Sequence, residues 1–541
     1  MRIDSYDKKL NIVIWGTGHY FKCIMEYLDD MKKVVDGFSY TIDTIIDSDI
    51  CKQGQICHGT RIQTPSYVDR LDKKSLIIIA MQNDCDVERT LCEKGFTNIL
   101  TTSDILCKEK LFTYYWDNFS TSINEKSPFV QRVKARKLLR NSIDNYIHIN
   151  PSSNIYLLSA AIAEYGKDID NLDFNYLFED RPKAVSGGSN KLGIYYSRLF
   201  NGGVERVISQ LLPKFIGAGY EIVLFTHEIS ELDYPIPKSV ERCVIPFDPL
   251  MPYVWLEQFF YELKARRISV FINNAHASYR SYYLGICVKL LGIRYIVESH
   301  TCSAAIEKKG VSFFTKNYSI ADELVVLSNR DKNYWLDKGI SATYIPNPVD
   351  DKNVTYNKEY KEKEVLWVGR IDVIEKNVYD IVPIAKKVVE VIPDARFKIV
   401  GRADDIIVLK ELEKRIKLNV LENNIKFCGY SDNVGEYFSK AAVYFMTSPY
   451  EGFPMTLVES KIFGVPTVMY EIDGLELTQD NMGVIKVQQG NSSKLAEGII
   501  SILQDRKLRA KLSKEARYSI EKFSSLDLMS LWKQVIKDDL C

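Results

Sequence analysis

The stretch that decides the fold lies at residues 448–460, which read SPYEGFPMTLVES. An apolar run, Ala442–Met446, precedes it and predicts a buried strand, and Pro454 suits the first position of a helix because its φ is already fixed. The N–H groups of Met455, Thr456 and Leu457 would then be free, and together with the helix dipole they favour an anion such as a diphosphate. Glu451 and Glu459 add carboxylate oxygens that can accept hydrogen bonds from sugar hydroxyls. The pattern therefore predicts a nucleotide-sugar site, formed by Glu451, Gly452, Phe453, Pro454, Met455, Thr456, Leu457 and Glu459.

With the following residues 463–468, FGVPTV, this stretch resembles the signature of the family 4 retaining glycosyltransferases, which have the GT-B fold. The resemblance implies that Glu451 contacts the donor sugar, that Glu459 takes the ribose hydroxyls and that the intervening amides hold the diphosphate. It extends over about 350 residues, the part of the chain after Asn190.

The bulk composition narrows the class of protein. Lys plus Arg and Asp plus Glu both total 71, so no overall charge argues for a nucleic-acid partner. The eleven cysteines lack metal-ligand spacing and are typical of reduced thiols in a cytoplasmic protein. No apolar run is long enough to predict a membrane span, so we expect a cytoplasmic protein, at most attached peripherally to the inner face of the membrane.

Residues 1–110 alternate strand-like and helical segments and predict a small Rossmann-like α/β module. Gly16 and Gly18 follow the first predicted strand and make a candidate nucleotide site, with the acidic pair Asp47 and Asp49 placed to bind a ribose. Phe21 stands where a dinucleotide fingerprint has a small residue, which favours a structural or docking role. The stretch resembles the modules attached to bacterial polysaccharide-assembly enzymes.

The remaining chain divides into three further parts. Residues 111–190 predict a helical, polar connecting region, in which Gln131–Arg140 is either a membrane-surface helix or, more simply, a solvated helix face. Residues 191–346 and 347–517 predict two facing Rossmann-like domains, the GT-B layout, for the acceptor and the donor respectively. Residues 518–541 resemble the closing helix that packs back onto the first of the two.

Two basic residues follow a second buried-type strand in the donor half. Arg370 ends the strand and Lys376 lies six residues on, so both can reach the cleft and neutralise a departing nucleoside diphosphate. A surface ion pair is the plainer alternative, but the residues match the family's phosphate-binding Arg and Lys. A basic pair of this kind implies that no metal ion is needed, and Asp168–Asp170 reads as a solvated turn.

In the acceptor half, Gly202 and Gly203 stand at a strand-to-helix turn, where glycine lets the backbone approach a ligand. The resemblance implies that they face the diphosphate. His300 ends another predicted strand, and the resemblance places an active-site histidine on this loop, near the donor sugar and the acceptor. His276 is a weaker candidate of the same kind.

The sequence as a whole predicts a retaining, metal-independent glycosyltransferase that takes a nucleotide sugar as substrate and has no other cofactor. Glu451, Arg370, Lys376 and His300 are the predicted catalytic residues. A glycan or lipid-linked acceptor is expected, in the synthesis of a bacterial cell-surface polysaccharide. Two alternatives stay open: a bifunctional nucleotide-sugar enzyme that uses the N-terminal module, and a catalytically inactive GT-B scaffold.

Overall fold

Three sheets of mostly parallel strands organise the chain in its computed structural model. The structure describes residues 9–81, 85–101, 190–200, 202–249, 251–350, 363–403, 405–478 and 482–537, together with Ile105, Leu158, Ser159 and Ile162. The predicted connecting region at 111–190, with its basic stretch and Asp168–Asp170, therefore lies almost entirely outside the described residues. We call the three units the N-terminal module, the acceptor-side half and the donor-side half, after the roles expected from the sequence.

The N-terminal module has a six-stranded sheet in the order β3-β4-β2-β1-β5-β6, with every pair parallel except β3 and β4. Apolar runs in β1 and β5 form its buried centre. Its strands are Lys9–Trp15 (β1), Ser39–Ile46 (β2), Ile56–Cys57 (β3), Thr60–Gln63 (β4), Leu76–Ile79 (β5) and Ile99–Thr101 (β6). Its helices are His19–Val34 (α1) and Cys85–Glu93 (α2).

The acceptor-side half has a seven-stranded parallel sheet in the order β13-β12-β11-β10-β7-β8-β9. Its strands are Lys191–Tyr195 (β7), Glu221–Thr226 (β8), Glu241–Val244 (β9), Val270–Asn273 (β10), Arg294–Ser299 (β11), Glu323–Val326 (β12) and Ala342–Tyr344 (β13). Its helices are Gly203–Gly217 (α3), Pro252–Arg266 (α4), Arg280–Leu290 (α5), Ser303–Lys309 (α6), Val311–Tyr318 (α7) and Asn329–Leu336 (α8).

The donor-side half has a six-stranded parallel sheet in the order β16-β15-β14-β17-β18-β19. Its strands are Glu364–Val368 (β14), Arg396–Val400 (β15), Ile425–Gly429 (β16), Val443–Met446 (β17), Thr467–Tyr470 (β18) and Val484–Val487 (β19). Its helices are Ile381–Val391 (α9), Ile406–Leu418 (α10), Gly435–Phe438 (α11), Met455–Ile462 (α12), Ser492–Gln504 (α13) and Arg506–Ser524 (α14), and Leu528–Lys537 (α15) follows them.

Both GT-B sheets reverse their strand order beside their first strand, at β7/β10 and at β14/β17. Ligands of open parallel sheets bind outside the carboxyl ends of the strands at such a reversal. The loops after these four strands carry the predicted Gly202, His276, Arg370 and Glu451. The topology therefore directs most of the candidate residues toward one cleft.

The last helix returns to the acceptor-side half. Trp532 of α15 is almost fully buried in the core of that half, and its ring lies 5.4 Å from the ring of Phe215. The preceding helix α14 instead packs on the donor side, where Leu512 and Ile520 are buried. The stretch expected to be one helix from residue 518 is thus split at residues 525–527, and only its second part crosses back.

A candidate nucleotide-sugar site between the two halves

The loop after β17 brings the first predicted carboxylate to the cleft. Glu451 is largely buried, and its Oε1 accepts a hydrogen bond of 2.5 Å from Lys376 Nζ. Thr447, at the end of β17, donates its hydroxyl to the Lys376 carbonyl at 2.6 Å and accepts from Trp367 Nε1 at 3.0 Å. The buried Thr447 therefore fixes the Lys376 loop beside Glu451, although nothing in the sequence singled it out.

Arg370 follows β14 and makes an ion pair with Glu375 of its own loop. Asp372 holds this loop because its Oδ1 accepts the Glu375 N–H at 2.6 Å. Asn377 closes the turn in the left-handed region, at φ 46°. The two predicted cations thus lie on one ordered loop, each with a carboxylate partner.

The helix expected after the loop begins one residue later than predicted. Pro454 is the N-cap, and α12 starts at Met455. The Pro454 carbonyl therefore accepts the Leu457 N–H at 3.0 Å, within the first turn. Of the three amides expected to be free for a diphosphate, the one at Leu457 is already used in this structure.

Glu459 lies one turn into α12 and is buried, with about 7% of its surface exposed. Arg206, from α3 of the acceptor-side half, contacts its carboxylate across the cleft. Burial raises the pKa of Glu459, and the guanidinium opposes that shift. The sequence did not single out Arg206, because its contact joins residues 253 positions apart.

The two glycines at the start of α3 have different surroundings. A Cβ at Gly202 would lie 2.0 Å from Glu205 Oε2, whereas a Cβ at Gly203 would meet nothing within 4 Å. Glu205 is buried under this turn and pairs with Arg198 at 3.3 Å. A side chain at position 202 would therefore displace the buried Glu205 carboxylate, whereas position 203 leaves open space.

His300 faces the donor-side loop across the cleft. A Cβ at Gly452 would lie 3.0 Å from the His300 carbonyl oxygen, so the two loops are in close contact. His300 Nε2 is 2.9 Å from Asn274 Oδ1, and burial lowers the pKa of His300 to about 4. His276 is turned inward instead, with its Nδ1 2.7 Å from the Tyr318 hydroxyl.

A cavity of about 220 Å³ opens beside Glu451, between the two halves. Tyr450 and Gly452 line it from the donor side, and Cys302, Ser328 and Arg330 line it from the acceptor side. It is smaller than a usual drug-sized pocket of about 300–1,000 Å³, and a single sugar ring is the size of ligand that suits it. Among the described residues, no three His, Cys, Asp or Glu side chains are grouped so that they could hold a metal ion.

In the N-terminal module, Gly16 adopts φ 105°, and a Cβ there would lie 2.7 Å from the Ala80 carbonyl. Thr17 donates its N–H to Asp47 Oδ2 at 3.0 Å and its hydroxyl to the same oxygen at 2.5 Å. Phe21 is buried in the module core. The carboxylate expected to bind a ribose is therefore occupied by the turn itself.

Comparison with known proteins assigns the family. The family model described as "Glycosyltransferase Family 4" matches residues 201–353, and the model "Glycosyl transferases group 1" matches residues 349–519, so together they span the two halves. The chain is a family 4 glycosyltransferase. The GT-B fold, preceded by an extra α/β module, is confirmed as well.

Three similar proteins illustrate how far this glycosyltransferase resembles known ones. It is 28% identical over 226 residues to the poly(glycerol-phosphate) alpha-glucosyltransferase of Bacillus subtilis, a match that covers 40% of this chain and 33% of that protein. It is 24% identical over 365 residues to an alpha-1,4-N-acetyl-D-galactosaminyltransferase of Campylobacter jejuni named for a PP-undecaprenol-linked glycan, covering 64% and 98%. The Anabaena HepE structure with UDP-glucose superimposes with a TM-score of 0.55 at 15% identity, covering 64% and 98%, and shows the shared fold.

The family models begin after the N-terminal module, so they assign that module no role. No helix in the described part of this glycosyltransferase is long and apolar enough to cross a membrane.

Proposed function

We propose that this glycosyltransferase moves a sugar, with retention, from a nucleotide sugar onto a glycan or lipid-linked acceptor. The contact between Lys376 Nζ and Glu451 Oε1 carries the proposal. It places the cation expected to neutralise the diphosphate next to the carboxylate expected to hold the donor sugar. A site built in this way binds both sides of the bond that breaks.

The chemistry follows from these positions. Arg370 and Lys376 stabilise the negative charge that grows on the leaving nucleoside diphosphate, in the role that a metal ion fills in other enzymes. Glu451 fixes the sugar ring, and Glu459 holds the ribose once Arg206 shifts or shares its carboxylate. Retention follows if the acceptor attacks from the face of the leaving phosphate, whose oxygen takes the acceptor proton.

The acceptor class is supported by the relatives. The similar Bacillus and Campylobacter enzymes are named for a poly(glycerol-phosphate) and for a PP-undecaprenol-linked glycan. We therefore propose a role in the synthesis of a bacterial cell-surface polysaccharide. A lipid-linked acceptor would bring the enzyme to the inner face of the membrane.

Nucleotide release by the purified full chain tests this proposal over a panel of UDP-, GDP-, ADP- and CMP-sugars. Slow release from one donor is expected, and Glu451→Ala should abolish it. Glu436→Ala is the matched control, because Glu436 also bonds a lysine, Lys440, at 2.6 Å but lies exposed on α11. If the wild-type chain releases nucleotide from no sugar of the panel, and no nucleotide sugar changes its melting temperature, the result would favour the inactive scaffold.

For the N-terminal module we propose a docking role rather than a second active site. Cys51 Sγ lies 2.8 Å from the Tyr379 hydroxyl of the donor-side half, and Lys52 Nζ lies 3.8 Å from Asp405 Oδ2, at the N-cap of α10. Lys52 also faces Asp47 at 3.9 Å. These contacts support a module that braces the donor-side half. A nucleotide at Gly16 and Gly18 stays a prediction.

Hydrogen exchange of the full chain tests the docking role. Lys52→Glu would repel the carboxylates of Asp47, Asp49 and Asp405, which lie 3.7–3.9 Å from Lys52 Nζ. It should therefore speed exchange at Val378–Asp380 and in the first turn of α10. Lys94→Glu is the control, since Lys94 pairs with Asp69 inside the module. Equal exchange in both variants would contradict docking, and saturable NADH binding to the wild-type chain would restore the nucleotide alternative.

A further inference from the structure

Two buried polar side chains meet just beyond the carboxyl ends of neighbouring strands, at the edge of the sheet that faces the donor-side half. Asn274 follows β10 and His300 follows β11, and these strands run parallel and adjacent. His300 Nε2 lies 2.9 Å from Asn274 Oδ1. An amide oxygen can only accept a hydrogen bond, so in this arrangement Nε2 carries the proton. In a neutral imidazole the other ring nitrogen, Nδ1, is then an acceptor.

The surroundings keep the ring neutral. Burial lowers the pKa of His300 to about 4. The nearest carboxyl, Glu298 of β11, has its Oε2 3.9 Å from Nε2, and burial raises the pKa of Glu298 to about 8. A neutral Glu298 at that distance gives the imidazolium no stabilising charge. His300 is therefore suited to hydrogen bonding with a ligand rather than to ionic contact.

The other end of the Asn274 amide has no partner. Asn274 is about 3% exposed, and among the described residues nothing accepts a hydrogen bond from its Nδ2. Buried donors are nearly always satisfied in folded proteins, so an unpaired donor just after β10, at the reversal of strand order where open parallel sheets bind ligands, calls for an explanation. A ligand oxygen supplies one, because it would complete the amide's hydrogen bonds only when the site is occupied.

The position of the His300 loop next to the donor-side half indicates the class of ligand. The His300 loop touches Gly452, which neighbours Glu451, the carboxylate assigned to the donor sugar. We propose that Asn274 is a positioning residue, which holds His300 as its neutral Nε2–H tautomer, and that its Nδ2–H donates to an oxygen of the donor sugar. The second part of this assignment rests on the proposed transferase function, whereas the first part does not.

Nitrogen-15 NMR of the histidine rings tests the positioning role without any substrate. The chain has six histidines, and His300→Gln assigns the signal of interest. A protonated Nε2 and an unprotonated Nδ1 are expected at pH 7 in the wild-type chain. Asn274→Asp should keep Nε2 protonated, because a carboxylate oxygen also accepts, but its negative charge should raise the pKa of the ring. Asn274→Leu should instead mix the two neutral tautomers. A protonated Nδ1 in the wild type, or no change in Asn274→Leu, would overturn the assignment.

Calorimetry with UDP and UDP-glucose tests the contact with the sugar. The wild-type chain should bind UDP-glucose more tightly than UDP, and the uncharged variant Asn274→Leu should reduce that ratio by about 3- to 10-fold while UDP affinity stays unchanged. An unchanged ratio would overturn the sugar contact. If the wild type binds neither probe, the contact with the sugar of UDP-glucose is refuted together with UDP-glucose as donor, and the NMR result still decides the positioning role.

Asn424→Leu is the matched structural control for both experiments. Asn424 is also a buried asparagine, but its Nδ2 is fully used by the carbonyls of Pro393 and Ala395, at 2.9 and 3.0 Å. This substitution should lower the melting temperature and leave both the His300 tautomer and the UDP-glucose to UDP ratio unchanged. A change of either in Asn424→Leu would mean that the Asn274 effects report general destabilisation.

Discussion

Arg206, on the first turn of α3, contacts the buried carboxylate of Glu459 on α12 and so ties the acceptor-side half to the donor-side half. A double-mutant cycle with Arg206→Ala and Glu459→Gln should give a coupling energy above about 1 kcal/mol, because burial limits screening at Glu459. Thermal unfolding of the four chains measures it. The exposed pair Lys494–Glu497, 2.6 Å apart, is the control and should couple by less than about 0.5 kcal/mol. Equal coupling energies in the two cycles would mean that the Arg206–Glu459 pair stabilises the contact between the halves no more than an exposed surface ion pair would.

Lys376→Ala should reduce kcat more than it raises the donor KM. The ammonium meets charge that grows as the leaving group departs, so its loss is felt most in the transition state. A fall of about 100- to 1,000-fold in kcat is expected, as for the loss of one preorganised charge-stabilising group. Steady-state release of nucleotide measures both constants. Lys440→Ala removes an exposed lysine with a similar carboxylate partner and should leave them unchanged. If Lys376→Ala raised KM without lowering kcat, Lys376 would act in substrate binding and not in stabilising the transition state.

The two glycines before α3 should respond differently to alanine. Gly202→Ala should lower the melting temperature, since its Cβ would collide with the buried Glu205 carboxylate. Gly203→Ala adds a methyl group in open space at the first helical position, so the melting temperature should stay level or rise. If the diphosphate approaches this turn, Gly203→Ala should nevertheless slow nucleotide release at least tenfold. Normal release by a stable Gly203→Ala chain would remove the turn from the site.

Glu298 should make stability depend on pH. Burial raises its pKa to about 8 in the folded chain, so the folded state holds a proton that the unfolded state releases above about pH 4.3. The contribution of this group to stability is therefore complete below that pH and is lost as pH rises toward 8, by about 1.4 kcal/mol per pH unit at most. Glu298→Gln cannot lose a proton and should gain stability relative to the wild type between pH 5 and 8. Melting curves across this range measure the difference.

Glu436→Gln, which changes an exposed glutamate, is the control for that series. Its melting temperature should change with pH in the same way as that of the wild type between pH 5 and 8. If the melting temperature of Glu298→Gln also followed that of the wild type across this pH range, Glu298 would be ionised in the folded chain. A charged Glu298 beside His300 would in turn favour an imidazolium, which the NMR experiment on the tautomer would detect independently.

The local pattern of the sequence was sufficient to predict several central strands, because continuous apolar runs such as those of β14 and β17 are typical of buried parallel strands. It also located the loops after β14 and β17, since these lie at the carboxyl ends of the two strands. What it predicted less well is the helix start. The expected amide at Leu457 depended on Pro454 being helical, and the structure makes it the cap instead.

Contacts between the halves could not be predicted from spacing. Arg206 and Glu459 become neighbours only after two separate sheets face each other, and neither flanking sequence carries a signal for the other. The same is true of Asn274, whose importance comes from an amide end that finds no partner in the folded chain. Asp47 shows a contact of another kind that spacing did not predict, because it accepts hydrogen bonds from Thr17 of the same module, while its role toward a ribose stays a prediction.

The return of α15 has a consequence for how the chain is made. Leu528, Trp532, Val535 and Ile536 fill the core of the acceptor-side half, yet a ribosome adds them only after the whole donor-side half. At roughly 5–20 residues per second, the groove around Phe215 stays uncovered for about ten seconds or more during translation. During this time the acceptor-side half lacks only α15, and the apolar surface that α15 later covers is exposed to other chains. Lesions in α15 should therefore show first as poor yield and aggregation of newly made protein, before any change in the activity of the molecules that survive.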